Sequence, residues 1–315
     1  ISLASFLGAR ILSRIRQHAA AGIEKAVMES GAKLASPAVI SYKDLLANVE
    51  EVAKVITRLV AARPEGTPKH VTYAINPSIA YVVVELAVWA AGACAVPLSV
   101  HSPAPELEYF CENSESCLTI ADKDMEAKIR PVVEKLQRAF AVVAGDLPSL
   151  ALVPAEGTPQ ADAVPEIQET SAGLILYTSG TTGKPKGAVH TFGSLTAQYE
   201  SLSEAWKWSS KDHTLHVLPC HHIHGIQNIL NTALFNGACV EFCAFDAAHC
   251  MRRIASGEIT CFHAVPTVYV KFTQHLDKCT AEQRAEICQG MRNDSLRYMV
   301  SGSAALPIPT MKSWA

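Results

Sequence analysis

Leu45, Leu46, Val49, Val52, Ile56, Leu59 and Val60 recur every three or four positions, the spacing of one helix face. Ser41 stands just before this run with Asp44 three residues on, which predicts a side-chain cap at the helix start. The period then changes. "VTYAI" (71–75) predicts a strand, residues 79–91 are apolar on every side and predict a buried helix, and "CAVPL" (94–98) predicts another strand. "CLTIA" (117–121), a helix near 125–138 and "AFAVVAG" (139–145) continue the alternation. Residues 146–170 are rich in Pro, Ala and acid without a period, and are expected to be a linker or surface excursion. Strands resume at 173–178, 215–219, 238–242, 260–265 and 297–302, with helices near 188–205, 223–236, 246–256 and 267–278 between them. This alternation predicts an α/β fold of doubly wound, mostly parallel sheets. It divides the chain into an N-terminal segment (1–34), a first α/β subdomain (35–145), the excursion (146–170) and a second α/β subdomain (171–315).

Composition narrows the class. The 315 residues are 49% hydrophobic and 18% charged with a net charge of −3, as in a globular protein that buries a sizeable core. No basic run of nucleic-acid type occurs, so no nucleic-acid partner is expected. The longest apolar stretch, "YVVVELAVWAAGACAVPL", is interrupted by Glu85 and Gly92 and falls short of a transmembrane segment. Ten cysteines are scattered without a CxxC pair, as buried thiols of a reducing compartment would be. Residues 2–20 carry Arg10, Arg14 and Arg16 and no acid, which fits either the tail of a mitochondrial transit peptide or an ordinary first helix; the cytoplasm is the alternative compartment. The chain begins at Ile1 and ends inside a predicted helix at "PTMKSWA", so part of a longer protein is expected.

The densest chemistry lies in "YTSGTTGKPKG" (177–187). Gly180, Gly183 and Gly187 allow tight turns and bring backbone N–H groups near an anion. Thr178, Ser179, Thr181 and Thr182 add hydroxyls, and Lys184 and Lys186 add positive charge. An apolar strand precedes the run, and a helix is expected from about Ala188, whose N-terminus would also favour an anion. The run is not a P-loop, because Thr178 replaces the first glycine and Pro185 the Ser/Thr after the lysine. A second stretch, "LPCHHIHGIQNIL", sets His221, His222 and His224 between a strand and an apolar helix. With Cys220 it invites a metal reading, against which adjacent His221 and His222 should point apart. A third, "CFHAVPTVYVKF", and a fourth, "LRYMVSGSAALPIP", are strand-to-turn segments, the last with Gly302 permitting close backbone approach to a flat base.

"LYTSGTTGKPKGAVHT" is similar to the signature loop of the adenylate-forming superfamily of acyl-CoA synthetases, adenylation domains and luciferases. The likeness extends over about residues 35–315, and "HHIHG" with "VPL…HSPAPELEY" looks like the malonyl-CoA synthetase branch. It implies the large N-terminal domain of such an enzyme, with ATP, magnesium and coenzyme A, and malonate or another short acid as small-molecule partners. A carboxylate would attack the α-phosphate of ATP, and coenzyme A would then displace AMP. By resemblance, residues 178–184 and Lys186 hold phosphates, magnesium arrives with ATP near Thr182, and Lys186 and His222 are catalytic. Ser301, Gly302, Ser303 and Ala304 would pack on adenine, and His222, His224, Val265, Pro266 and Arg297 would line the acyl pocket. His224 is alternatively a local packing residue, and Arg252 and Arg253 are further candidates to pair with the acid's distal carboxylate, expected rather on a solvated helix face. The family's "YGxTE" segment and C-terminal domain with its lysine do not occur before Ala315, so residues 1–315 alone are expected to be inactive. An amino-acid or aryl-acid adenylation domain and a non-catalytic nucleotide-binding remnant are the alternatives.

Overall fold

A computed structural model describes residues 9–31, 36–64, 66–145, 149–157, 167–178 and 183–314. One sheet has six strands, β1 (Val27–Ser30), β2 (Ala38–Ile40), β10 (His213–His216), β11 (Cys239–Cys243), β12 (Cys261–Ala264) and β13 (Tyr298–Ser301), in the order β13-β12-β10-β11-β1-β2. The other has seven, β3 (His70–Ala74), β4 (Cys94–Pro97), β5 (Leu118–Ala121), β6 (Ala139–Ala144), β7 (Ala151–Pro154), β8 (Ala172–Thr178) and β9 (Lys186–Thr191), in the order β7-β6-β5-β3-β4-β8-β9. Among the described residues the pairings are parallel except at the outer strands β2, β7 and β9. The expected doubly wound, mostly parallel α/β class is therefore the fold.

Helices fill three layers around these sheets. The central layer holds α1 (Arg10–Ala20), α2 (Tyr42–Ala61), α3 (Ile79–Ala90), α6 (Phe192–Trp206), a π-helix (His224–Asn231) and α7 (Thr232–Phe235), packed against strands of both sheets. Helix α3 is apolar all round because sheets and helices enclose it; every residue but Ala80 is buried. Its Glu85 is the one acid in that helix. Outside the seven-stranded sheet lie α4 (Ala104–Asn113) and α5 (Lys123–Lys135). Outside the other lie α8 (Ala247–Ala255), α9 (Pro266–Leu276), α10 (Ala281–Met291) and α11 (Ile308–Trp314). Strand alternation distributes the side chains: Leu174 and Leu176 join the central core, and Ile175 between them faces the outer one.

The Ser41 cap forms, its hydroxyl accepting from the Asp44 N–H at 3.1 Å. In the apolar stretch 81–98, α3 runs into β4, and no described helix is long and apolar enough to cross a membrane. Within 2–20, residues 10–20 form α1, which buries Ile11, Leu12, Ile15 and His18. All ten cysteines are free thiols. Two expectations need correction. The sheets do not part at residue 171: β8 and β9 complete the sheet of β3–β7, and β1 and β2 from the N-terminal part complete the sheet of β10–β13. Nor does a helix start near Ala188. Residues 186–191 form β9, antiparallel to β8, and α6 begins only at Phe192 behind the Thr191 cap, whose hydroxyl accepts from the Ser194 N–H. Gly187 permits this pairing, since a Cβ there would meet Ile175 at 2.9 Å.

Candidate functional site

The phosphate-loop sequence joins β8 to β9, so it is the connection of a hairpin. Ser179, Gly180, Thr181 and Thr182 lie outside the described residues. At the hairpin base Thr178 faces Lys186 across the ladder, and both are exposed. Helix α4 holds the second arm: the Tyr109 hydroxyl donates to the Pro185 carbonyl at 2.8 Å, and the Lys184 ammonium sits 5.0 Å from the Tyr109 ring centre. Tyr177 packs on Phe110 with ring centres 4.4 Å apart and planes tilted by 37°, and its hydroxyl donates to Asn113 Oδ1 at 2.8 Å. The anion-attracting helix N-terminus expected beside the loop is absent there, because β9 separates the loop from α6. The charge at this spot comes from lysines on a hairpin.

The histidine stretch leaves β10 and crosses to the same region. A cavity of about 180 Å³ has Thr178, Pro185, Glu106, Ser102, His221 and His222 in its wall. A larger one, about 460 Å³, opens at the C-terminal ends of β1, β3, β4, β10 and β11 and shares His221. Ligands of open α/β sheets sit at such strand ends. The rings of His221 and His222 do not diverge as expected; their centres lie 4.3 Å apart. Burial, then neighbouring His222 and His101, pushes His221 down to about 4, and burial lowers His222 and His224. These imidazoles are neutral at neutral pH and can each donate one hydrogen bond. Among the described residues no group of three His, Cys, Asp or Glu is placed to hold a metal ion.

His224 turns the other way. Its Nδ1 lies 2.9 Å from Ser303 Oγ, and its ring packs where a Gly302 side chain would be, 3.1 Å from an added Cβ. The histidine stretch and the 301–304 turn are thereby joined. Ser303 takes a left-handed backbone (φ 64°), which sharpens that turn. Val265 and Pro266 open α9 next to it, since Ala264 pairs with Ser301 and the Gly302 N–H donates to the Ala264 carbonyl at 3.1 Å. Ala304 follows in the exposed part of the turn.

Arg297 does not join this group. It precedes β13, at the opposite end of the strand from Ser301, and its guanidinium holds Asp212 with Nε–Oδ1 at 2.8 Å. About four residues at roughly 3.3 Å each separate it from the turn. Arg253 is also not on a solvated face: it binds the buried Glu241 through Nε and Nη2 at 2.8 and 2.7 Å. Sequence reasoning missed Glu106, Tyr109 and Phe110. The signal available was the aromatic pair in "ELEYF", Tyr109 and Phe110, which pack from α4 on Tyr177 of β8.

A family model for AMP-binding enzymes matches residues 16–315. The chain belongs to the AMP-binding enzyme family. Among relatives of this AMP-binding chain, a mitochondrial malonate–CoA ligase ACSF3 of Mus musculus is 34% identical over 286 residues, covering 87% of this chain and 48% of the relative. A malonate–CoA ligase of Arabidopsis thaliana is 34% identical over 260 residues, 76% of this chain and 41% of the relative. The crystal structure of ATP-bound MatB from Rhodopseudomonas palustris superposes with a TM-score of 0.75 at 26% identity, covering 98% of this chain and 57% of that one. The AMP-binding chain thus spans about half the length of the curated relatives it matches.

Proposed function

We propose that this chain is the acid- and ATP-binding part of an ATP-dependent acid–CoA ligase, with malonate as the acid. The carrying observation is the 180 Å³ cavity, which sets neutral His222 beside Thr178 and Pro185 at the base of the lysine-bearing hairpin. That volume suits a short acid's carboxylate next to a phosphate more than a fatty chain. Thr178, Lys184 and Lys186 hold the phosphate end of ATP, His222 donates to an oxygen of the reacting carboxylate or α-phosphate, and the Ser301–Ala304 turn carries the adenine. The carboxylate oxygen bonds to the α-phosphorus as the bond to pyrophosphate breaks, and the lysines stabilise the negative charge that departs. The coenzyme A thiol then attacks the acyl carbon and AMP leaves. Magnesium accompanies ATP in this reading and draws on no described cluster of protein ligands. The helix after the histidines offers Gln227, Asn228 and Asn231 rather than an acid for a substrate amino group, and Asn228 already accepts from Gln198 at 2.6 Å. This favours a simple carboxylic acid over an amino acid. The names of relatives support mitochondrial placement, whereas the basic residues Arg10, Arg14 and Arg16 belong to α1, a helix packed into the core.

In the full-length protein, pyrophosphate release is expected to favour malonate over methylmalonate and acetate, and over a long-chain fatty acid by at least about tenfold in kcat/KM. Preference for the fatty acid would remove the malonate assignment. Residues 1–315 alone are expected to release no pyrophosphate in response to malonate.

A further inference from the structure

The π-helix that carries His224 ends on a buried polar pair. Asn231 Nδ2 donates to Glu85 Oε1 at 2.9 Å, and both residues have no exposed surface. The other two atoms of the pair, Glu85 Oε2 and Asn231 Oδ1, have no hydrogen-bond partner among the described residues. As a carboxylate and an amide they are two acceptors, so neither can serve the other. A proton on Oε2 would turn one of these acceptors into a donor that the amide oxygen can accept. Two orphaned acceptors on one acid and one amide are otherwise costly in a dry interior.

The pair stands where it can transmit register. Asn231 is the last residue of the π-helix, whose extra residue per turn is rare and often marks a functional site. At its first residue, His224 binds Ser303. One turn earlier in α3, Tyr81 donates to the Cys220 carbonyl at 2.9 Å, immediately before His221 and His222. We propose that Glu85 is carried as the neutral acid, pairs with the Asn231 amide through both oxygens, and so acts as a positioning residue that sets His222 and His224 in the candidate site.

The surroundings agree. Burial pushes the Glu85 carboxyl up to about 8, with only the Asn231 amide acting against it. The titratable groups facing it are Tyr73 from β3, Tyr81 from α3, Tyr199 from α6 and Cys220 before the π-helix, all pushed up by burial and uncharged. None of them supplies a positive charge to hold a carboxylate. A glutamate raised in the folded state takes up a proton on folding between its ordinary value of 4.5 and about 8. Its contribution to stability is whole below that window and is lost as pH rises through it.

The test compares Glu85→Gln and Glu85→Met in the full-length protein. Glutamine supplies the donor and acceptor of the neutral acid at every pH, and methionine supplies neither. Histidine ring NMR signals need no substrate and so stand apart from the ligase reading on which the site assignment rests. Glu85→Gln is expected to keep the His222 and His224 signals and to flatten the fall of stability expected of the unchanged protein between pH 4.5 and about 8. Glu85→Met is expected to shift both signals and, if the ligase reading holds, to lower kcat about tenfold with little change in the KM for ATP. Overturning results are a Glu85→Gln protein as perturbed as Glu85→Met, or His signals unmoved by Glu85→Met. Should Glu85→Met fail to fold, the pH dependence of Glu85→Gln decides: a slope as steep as that of the unchanged protein rejects the neutral pair.

Discussion

Arg253→Leu is expected to destabilise the protein by about 3–5 kcal/mol, read as a lower midpoint in urea unfolding at unchanged slope. Glu241 is the reason. It sits on the outer-facing side of β11 with no exposed surface, and Arg253 from α8 binds both of its oxygens, at 2.8 and 2.7 Å. His213 Nε2 adds a contact at 2.9 Å. Burial pushes the Glu241 carboxyl up, but hydrogen bonds from Arg253, His213 and Ser30 outweigh it and hold the group well below the usual carboxylate range. Removing the arginine leaves a buried charge whose desolvation is no longer offset. A folded value below the unfolded one means the stabilisation is present above the ordinary carboxylate range and is lost as pH falls through the folded value. Replacing both Glu241 and Arg253 with Leu is expected to recover much of the loss, since a buried pair exchanged for packed apolar groups is near neutral. A cost below about 1 kcal/mol for the single change would place the pair with exposed ion pairs instead.

This pair also shows where sequence reading stops. Central strands such as "VTYAI" and "GLILYT" are legible because strands buried on both faces read as continuous apolar runs. Edge strands are not. In β9, Lys186, Gly187, Ala188 and Val189 are all exposed, so burial writes no pattern there, and lysine and alanine resemble a helix start. Partners brought together by crossovers are also illegible: Arg297 and Asp212 are 85 positions apart, and only the β10-β12-β13 order makes them neighbours. The candidate site was legible where one short run carries the chemistry, as in Thr178 and His222. It was not legible in α4, whose Glu106 and Tyr109 reach the site through packing alone.

Gly225→Ala is expected to damage fold and site together, with a loss of at least about 3 kcal/mol, at the upper end of overpacking costs. An added Cβ would lie 2.2 Å from the Pro219 carbonyl oxygen, 2.9 Å from its carbon and 3.4 Å from the Leu218 oxygen. Every one of these atoms is backbone, so no side chain can swing aside. The chain doubles back here: after Pro219 it passes through His221 and His222 and returns at Gly225, whose carbonyl accepts from His216 Nε2 at 2.9 Å. That bond places a His216 proton on Nε2, and burial pushes this imidazole down to about 4, so the ring is neutral at neutral pH and Nε2 carries its one proton. Opening the loop for a methyl group moves the two histidines of the 180 Å³ cavity and breaks this bond at once. Gly302→Ala is the contrasting case, because the atoms in its way belong to the His224 ring at 3.1–3.7 Å, and a ring can rotate. Its expected cost is about 1 kcal/mol, with loss of the His224–Ser303 bond visible in the His224 ring signals. A Gly225→Ala protein with unchanged urea midpoint and unchanged histidine signals would show that this loop yields, and that the glycine in "HHIHG" is there for some reason other than close backbone approach.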